Sequence, residues 1–175
     1  MRRRAVLALG ANLGDRFATL QAAVTALLDA PGIDGVAASP VYETEPVGGP
    51  EQPDFLNAVL VVDTSLSADV LLTRAKATED AFDRTREVVW GPRTLDVDVI
   101  AVGDETRETP ELTLPHPRAH ERAFVLAPWR DVDPGARLPG KGRVADLLAA
   151  SGAAGVRRRD DLELLLPERL TELTQ

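Results

Sequence analysis

Cysteine is absent from the 175 residues. Disulfides and thiolate metal sites are therefore excluded, and redox chemistry says nothing about compartment. Lysine is nearly absent, occurring only as Lys76 and Lys141, so arginine carries almost all the positive charge. Arginine suits planar, bidentate phosphate contacts. An excess of basic residues is also missing: 28 acidic side chains face 20 basic ones, for a net charge of −8. That balance weighs against nucleic acid as a partner, and any phosphate must be met by a local basic patch. Long apolar runs are missing too. No stretch approaches the roughly 20 residues of a membrane helix. The run Ala5 to Leu9 behind the N-terminal arginines is too short for a secretory core. A cytoplasmic protein without a membrane partner is expected. Aromatics make up only 4% of the chain, so the positions of Phe55, Trp90 and Phe124, each beside a loop or motif, are informative.

The chain is long enough for one domain with a sizeable core, and 44% hydrophobic residues argue against broad disorder. Arg4–Leu9 reads as a strand ending in the turn 10–16, GANLGDR. Apolar positions 17, 20, 24, 27 and 28 then predict a helix, capped by Gly14 or Asp15 and stopped by Pro31-Gly32. For Gly10 and Gly14 the simplest role is backbone freedom at that helix start. A second strand is expected over Ile33–Thr44 and a third, strongly apolar one over Phe55–Asp63. Between them, Glu45–Asp54 holds three prolines and two glycines, which excludes a helix or central strand and suggests a lid. Ser67 caps the next predicted helix, and Thr94–Val102 is the fourth strand. Short helices are expected at 127–133 and 144–150. The order is β-α-β-β-α-β, which predicts an α+β ferredoxin-like sandwich, an antiparallel sheet with helices packed on its faces. The domain is expected to span residues 1–155, with 156–175 a charged tail that docks or frays.

The densest chemistry lies in the stretch 83–100, DRTREVVWGPRTLDVDVI. Strand alternation puts Asp96 and Asp98 on one face and Leu95, Val97 and Val99 on the other. Their Cα atoms are then roughly 6.5 Å apart, which lets two carboxylates converge on one metal or a close pair. A D-x-D pair on a strand more often simply faces water. Here Arg84, Arg86 and Arg93 stand beside it, and Mg2+ favours one or two carboxylates with the other positions left to water and phosphate. The combination points to metal-dependent chemistry on a phosphate ester.

His116 and His120 have i, i+4 spacing, but Pro115 and Pro117 disrupt any helix that would make them a zinc pair. His116 and Arg122 read better as phosphate contacts, and Arg118 as a solvated charge. Glu79 alone reads as part of a solvated helix face. Asn57 either bonds nearby backbone or recognises a polar heterocycle. Phe55 and Phe124 are ordinary core or a stacking clamp on a flat ring. On residues alone, a catalytic phosphoryl transferase, a nucleotidyltransferase using the D-x-D pair and a non-catalytic nucleotide-binding module all stay open.

The segments GANLGDR (10–16), GPEQPDFLN (49–57), WGPRTLDVDVI (90–100) and LPHPRAHERAFVLAP (114–128) together resemble the 6-hydroxymethyl-7,8-dihydropterin pyrophosphokinases of folate biosynthesis. The resemblance covers about residues 4–135, in order and spacing. It implies a ferredoxin-like fold and transfer of the β,γ-pyrophosphoryl group of ATP to the pterin hydroxymethyl oxygen, releasing AMP. It implies two Mg2+ ions on Asp96 and Asp98, with ATP as co-substrate. Arg84 and Arg93 would be the transition-state cations. Glu79, Arg86, His116 and Arg122 would line the ATP site together with those two arginines. A pterin would stack between Phe55 and Phe124, with Thr44, Val47 and Asn57 around it, and loops 45–55 and 84–93 would close over both substrates. The expected partners are these small molecules alone, bound by a monomer.

Overall fold

The structure is a computed structural model that describes residues 1–46, 52–83, 95–153 and 155–167. Its first strand, β1 (Arg3–Ala11), has two buried faces. Ala5, Leu7, Leu9 and Ala11 enter one core while Val6 and Ala8 pack into a second. A strand buried on both sides needs layers on both sides. They are supplied by α1 (Arg16–Asp29) and later helices.

The side chain of Asp15 accepts a 3.0 Å bond from the Ala18 N–H and so caps α1. Gly14, at φ +61° with open space around it, meets the backbone demand of that turn. The strand expected over 33–44 is present as two, β2 (Ile33–Ala38) and β3 (Val41–Thr44). Pro40 has no N–H to give a ladder. Ser39 bridges the break, its N–H donating to the Val59 carbonyl (2.9 Å) and its Oγ accepting from the Val59 N–H (2.8 Å).

Both pieces pair antiparallel with β4 (Phe55–Thr64), the long apolar strand. Helix α2 (Ala68–Asp83) begins where the Ser67 hydroxyl accepts from the Val70 N–H (3.3 Å). Strand β5 (Asp96–Val102) then pairs antiparallel with β1. Two ribbons follow: β6 (Arg107–Glu108) with β7 (Thr113–Leu114), and later β8 (Arg137–Leu138) with β9 (Gly142–Arg143). They flank α3 (Ala123–Val132), and α4 (Val144–Ser151) comes after them. The last strand is β10 (Val156–Arg159).

The main sheet runs β10-β3-β4-β1-β5, with β2 beside β4. Residues from α1 and α2 fill one core and residues from α3 and α4 the other. This is the antiparallel α+β sandwich that the element order predicts.

One difference from the sequence expectation, and the course of the C-terminal residues, matter for the site. Helix α3 starts at Ala123, not Ala127, so Phe124 sits in its first turn. Pro128 lies inside the helix and masks that start in the sequence, because proline ordinarily ends or kinks a helix. The chain beyond 155 contributes β10 to the sheet edge. Gln21 exchanges two hydrogen bonds with the Leu165 backbone, and Leu164 is buried in the α1 core. No described helix is long and apolar enough to cross a membrane.

Candidate active site

Register does most of the work of building the site. Gly10 on β1 lies opposite Asn57 of β4 and, on its other side, opposite Asp96 of β5. One row across three strands therefore reads Asn57, Gly10, Asp96. The next row reads Val59, Ala8, Asp98. Neighbouring strands are about 4.8 Å apart, so Asn57 and Asp96 are separated by about 10 Å over a floor made of glycine and alanine.

This floor belongs to a cavity of about 710 Å³ on the α3 face of the sheet. Thr44, Phe55, Asn57 and Phe124 line it together with Asp96, Asp98 and Arg122. Asn57 is buried, and its amide donates a 2.7 Å bond to the Thr44 hydroxyl. Its polar end is thus oriented by its neighbour, and a rigid amide is what recognition of a polar ring requires. The guanidinium carbon of Arg122 sits 5.5 Å from the centroid of the Phe124 ring, in cation–π range.

Asp96 and Asp98 are half-buried on the same face of β5, with buried Val97 and Val99 on the other. The N–H of Val97, between them on the sheet edge, donates to the Glu79 carboxylate at 2.9 Å. Glu79 is half-buried and bound to that strand, which corrects the reading of a solvated helix face. It does not line the cavity. Its observed contact steadies the segment that presents both aspartates. Removing the acceptor leaves a buried N–H without it, so Glu79→Ala is expected to lower unfolding free energy by about 1–3 kcal/mol. Glu79→Gln keeps a carbonyl acceptor and should lose less than half of that; urea melts of the two variants compare them directly.

His116 follows β7, and its N–H donates to the Ile100 carbonyl (2.8 Å), which fixes the following turn to the end of β5. Its Nδ1 accepts from the Arg118 N–H at 3.2 Å. Burial pushes the imidazole below its ordinary range; Asp98 opposes this, while Arg122 and Arg118 add to it. His120 lies in the single turn 119–121, with Nε2 3.4 Å from the Glu121 carboxylate. The two histidines make separate local contacts. Among the described residues no group of three or more His, Asp or Glu side chains could hold a metal. Arg118 is exposed, as expected, and lines the cavity rim. Arg84, Arg86, Trp90, Arg93 and Val47 lie outside the described residues.

Sequence reasoning missed the floor. Gly10 is a strand residue, not the start of a turn, and its φ is not in the left-handed region. An added Cβ there would come within 2.8 Å of Asn57 Oδ1 and 3.7 Å of Phe55. Close approach, not backbone freedom, therefore calls for glycine at this position. The available signal was the two-residue alternation of β1, which continues through Gly10. Ser151, Gly152 and Val156, at the end of α4 and the start of β10, also line the cavity and carried no motif.

The chain matches the family model described as 7,8-dihydro-6-hydroxymethylpterin-pyrophosphokinase (HPPK) over residues 6–134. It is 45% identical to the 2-amino-4-hydroxy-6-hydroxymethyldihydropteridine pyrophosphokinase of Mycobacterium tuberculosis, covering 94% of this chain and 90% of that protein. The protein of the same name from Pseudomonas aeruginosa is 40% identical over 90% of this chain and 98% of its own length. Among solved structures, a Plasmodium falciparum HPPK-DHPS crystal structure with SDX-DHP superposes with a TM-score of 0.70 at 14% identity. It covers 90% of this chain, which spans about half (49%) of that one. At that identity the likeness shows the fold alone.

Proposed function

Because this chain belongs to the 7,8-dihydro-6-hydroxymethylpterin-pyrophosphokinase family, we propose that its cavity binds the pterin between Phe55 and Phe124 and meets ATP at Asp96 and Asp98. The reaction is transfer of pyrophosphate from ATP to the hydroxymethyl group of the dihydropterin, in folate biosynthesis. The pterin oxygen attacks the β-phosphorus, the bond to the α-phosphate oxygen breaks, the hydroxyl proton is lost, and AMP leaves.

One observation carries the assignment of roles: Asn57 and Asp96 flank Gly10 in a single row. A buried, oriented amide and a pair of carboxylates thus share one cavity at a separation that accommodates a fused ring and its hydroxymethyl arm. Asn57 and Thr44 supply hydrogen bonds for the ring edge. Phe55 and Phe124 supply apolar faces for stacking. Holding the attacking oxygen near the phosphate chain is where catalysis comes from when the protein contributes no covalent chemistry.

The donor set fits Mg2+. Asp96 and Asp98 offer hard oxygens on one face of a strand whose Val97 N–H is bound by Glu79. Two carboxylates and no third protein ligand among the described residues suit an ion that completes its octahedron with water and phosphate oxygens. Bound there, Mg2+ would neutralise charge on the transferred group. Arg122 and His116 stand near the carboxylates, and Arg122 is the described cation best placed for phosphate. Arg84 and Arg93 are proposed as transition-state cations and Arg86 as a further ATP contact, on the resemblance of their motif. Val47 is proposed beside the pterin on the same ground. A cytoplasmic monomer acting only on these small molecules completes the proposal.

The test is a product assay. Incubation with ATP, Mg2+ and 6-hydroxymethyl-7,8-dihydropterin should give AMP and a pterin diphosphate by phosphorus NMR. Release of inorganic pyrophosphate would point to nucleotidyl transfer, and no turnover to a binding module.

A further inference from the structure

Beneath the cavity, on the opposite face of the sheet, lies a charge cluster that no motif announces. Glu43 precedes Thr44 on β3, and strand alternation turns its side chain toward α1. It is only 12% exposed and has three guanidinium partners. Arg16, the first residue of α1, approaches it at 2.8 Å; Arg159 of β10 approaches at 3.2 Å; Arg157, its register partner on β10, also bonds it. Arg16 donates a second bond, 2.9 Å, to the Asp54 carbonyl. Arg157 lies 3.8 Å from the Asp54 carboxylate. Glu43 is the residue before Thr44, and Asp54 is the residue before Phe55. Thr44 and Phe55 are themselves register partners.

We propose that Arg16, with Arg157 and Arg159 of the C-terminal strand, is a clasp that fixes the ends of β3 and β4 through Glu43 and Asp54 and so positions Thr44 and Phe55 for the pterin. The inference rests on the reading of Thr44 and Phe55 as pterin contacts. None of the three arginines lines the cavity. They are positioning residues that act through the backbone of the two strand ends. Arg16 is the central member: it is 27% exposed, against 67% for Arg157, and it alone bridges a carboxylate and a backbone carbonyl across the two strands. An exposed pair is worth little, whereas a half-buried guanidinium with two acceptors holds geometry. The clasp also gives the C-terminal strand a part in substrate binding, although it lies beyond the matched residues 6–134.

The discriminating measurement is the split between substrates in Arg16→Ala. The KM for the pterin should rise about five- to tenfold, with kcat and the KM for ATP within about twofold of wild type. Both contacts come from the single Nη1 of Arg16, so Arg16→Lys, which keeps a charged donor on a shorter and more flexible stem, should recover part of the pterin KM. Fluorescence titration of the pterin in the presence of a non-hydrolysable ATP analogue should show the same weakening without turnover. An unchanged pterin affinity in Arg16→Ala would overturn the clasp. So would an equal rise in both KM values, or a loss that tracks the melting temperature and ignores Arg16→Lys. If wild type itself released no AMP, the reading of function would fall, while the titration would still decide whether the clasp governs pterin binding.

Discussion

Asp96→Asn and Asp98→Asn are each expected to reduce AMP release by about a thousandfold or more, roughly 4 kcal/mol of transition-state stabilisation. The substitution keeps shape and hydrogen-bonding size and removes one hard, charged oxygen donor. Both side chains are half-buried on one face of β5, and the strand is held from its other face by Val97 and Val99 in the α1–α2 core. Fold stability should therefore stay within about 1 kcal/mol of wild type. Circular dichroism melts, run beside the phosphorus NMR assay, separate a dead site from a lost fold. Chelation of Mg2+ in the wild type should reproduce the same loss, and re-addition should restore it. A variant at either position that keeps near-wild-type turnover would overturn the proposed role of that carboxylate as a metal ligand.

Gly10→Ala is expected to raise the pterin KM about tenfold or more and to cost about 1–3 kcal/mol of stability by overpacking. The new methyl group would lie 2.8 Å from Asn57 Oδ1. That amide cannot swing freely away, because its nitrogen is committed to Thr44 at 2.7 Å in a buried setting. Either the amide turns and gives up Thr44, or β1 and β4 separate locally; both disturb the edge proposed to bind the ring. A double-mutant cycle with Asn57→Ala tests the cause. Once the amide is gone the added methyl has little left to strike, so the stability cost of Gly10→Ala should largely vanish in the pair. Additive losses would show that glycine is needed there for some other reason.

The parts of the site that were legible in the sequence are those made by local periodicity. Asp96 and Asp98 alternate with valines, so their shared face follows from strand geometry wherever β5 sits. The capping of α1 by Asp15 and of α2 by Ser67 is equally local. Three readings failed, two of them because a tertiary partner decides the matter. Glu79 has the spacing of a solvated helical position, yet its carboxylate meets the Val97 N–H of the sheet edge. Pro128 hides the true start of α3, which lies at Ala123, upstream of it. Gly10 looks like punctuation before a turn, yet β1 runs through it. The charged run Arg157–Arg159, which composition describes only as a tail, pairs along β3.

By itself the sequence determined the order of the long strands and first two helices, the apolar faces, the caps and the carboxylate pair, because each depends on residues within a turn or two of one another. Register and layer packing decided the rest: that Asn57, Gly10 and Asp96 form one row, that Glu79 grips β5, and that Glu43 gathers arginines from both ends of the chain. Those contacts join residues far apart in the sequence, such as Arg16 with Asp54 and Glu43 with Arg157. No local pattern encodes such distances; only the pairing of strands and the burial of two cores select them.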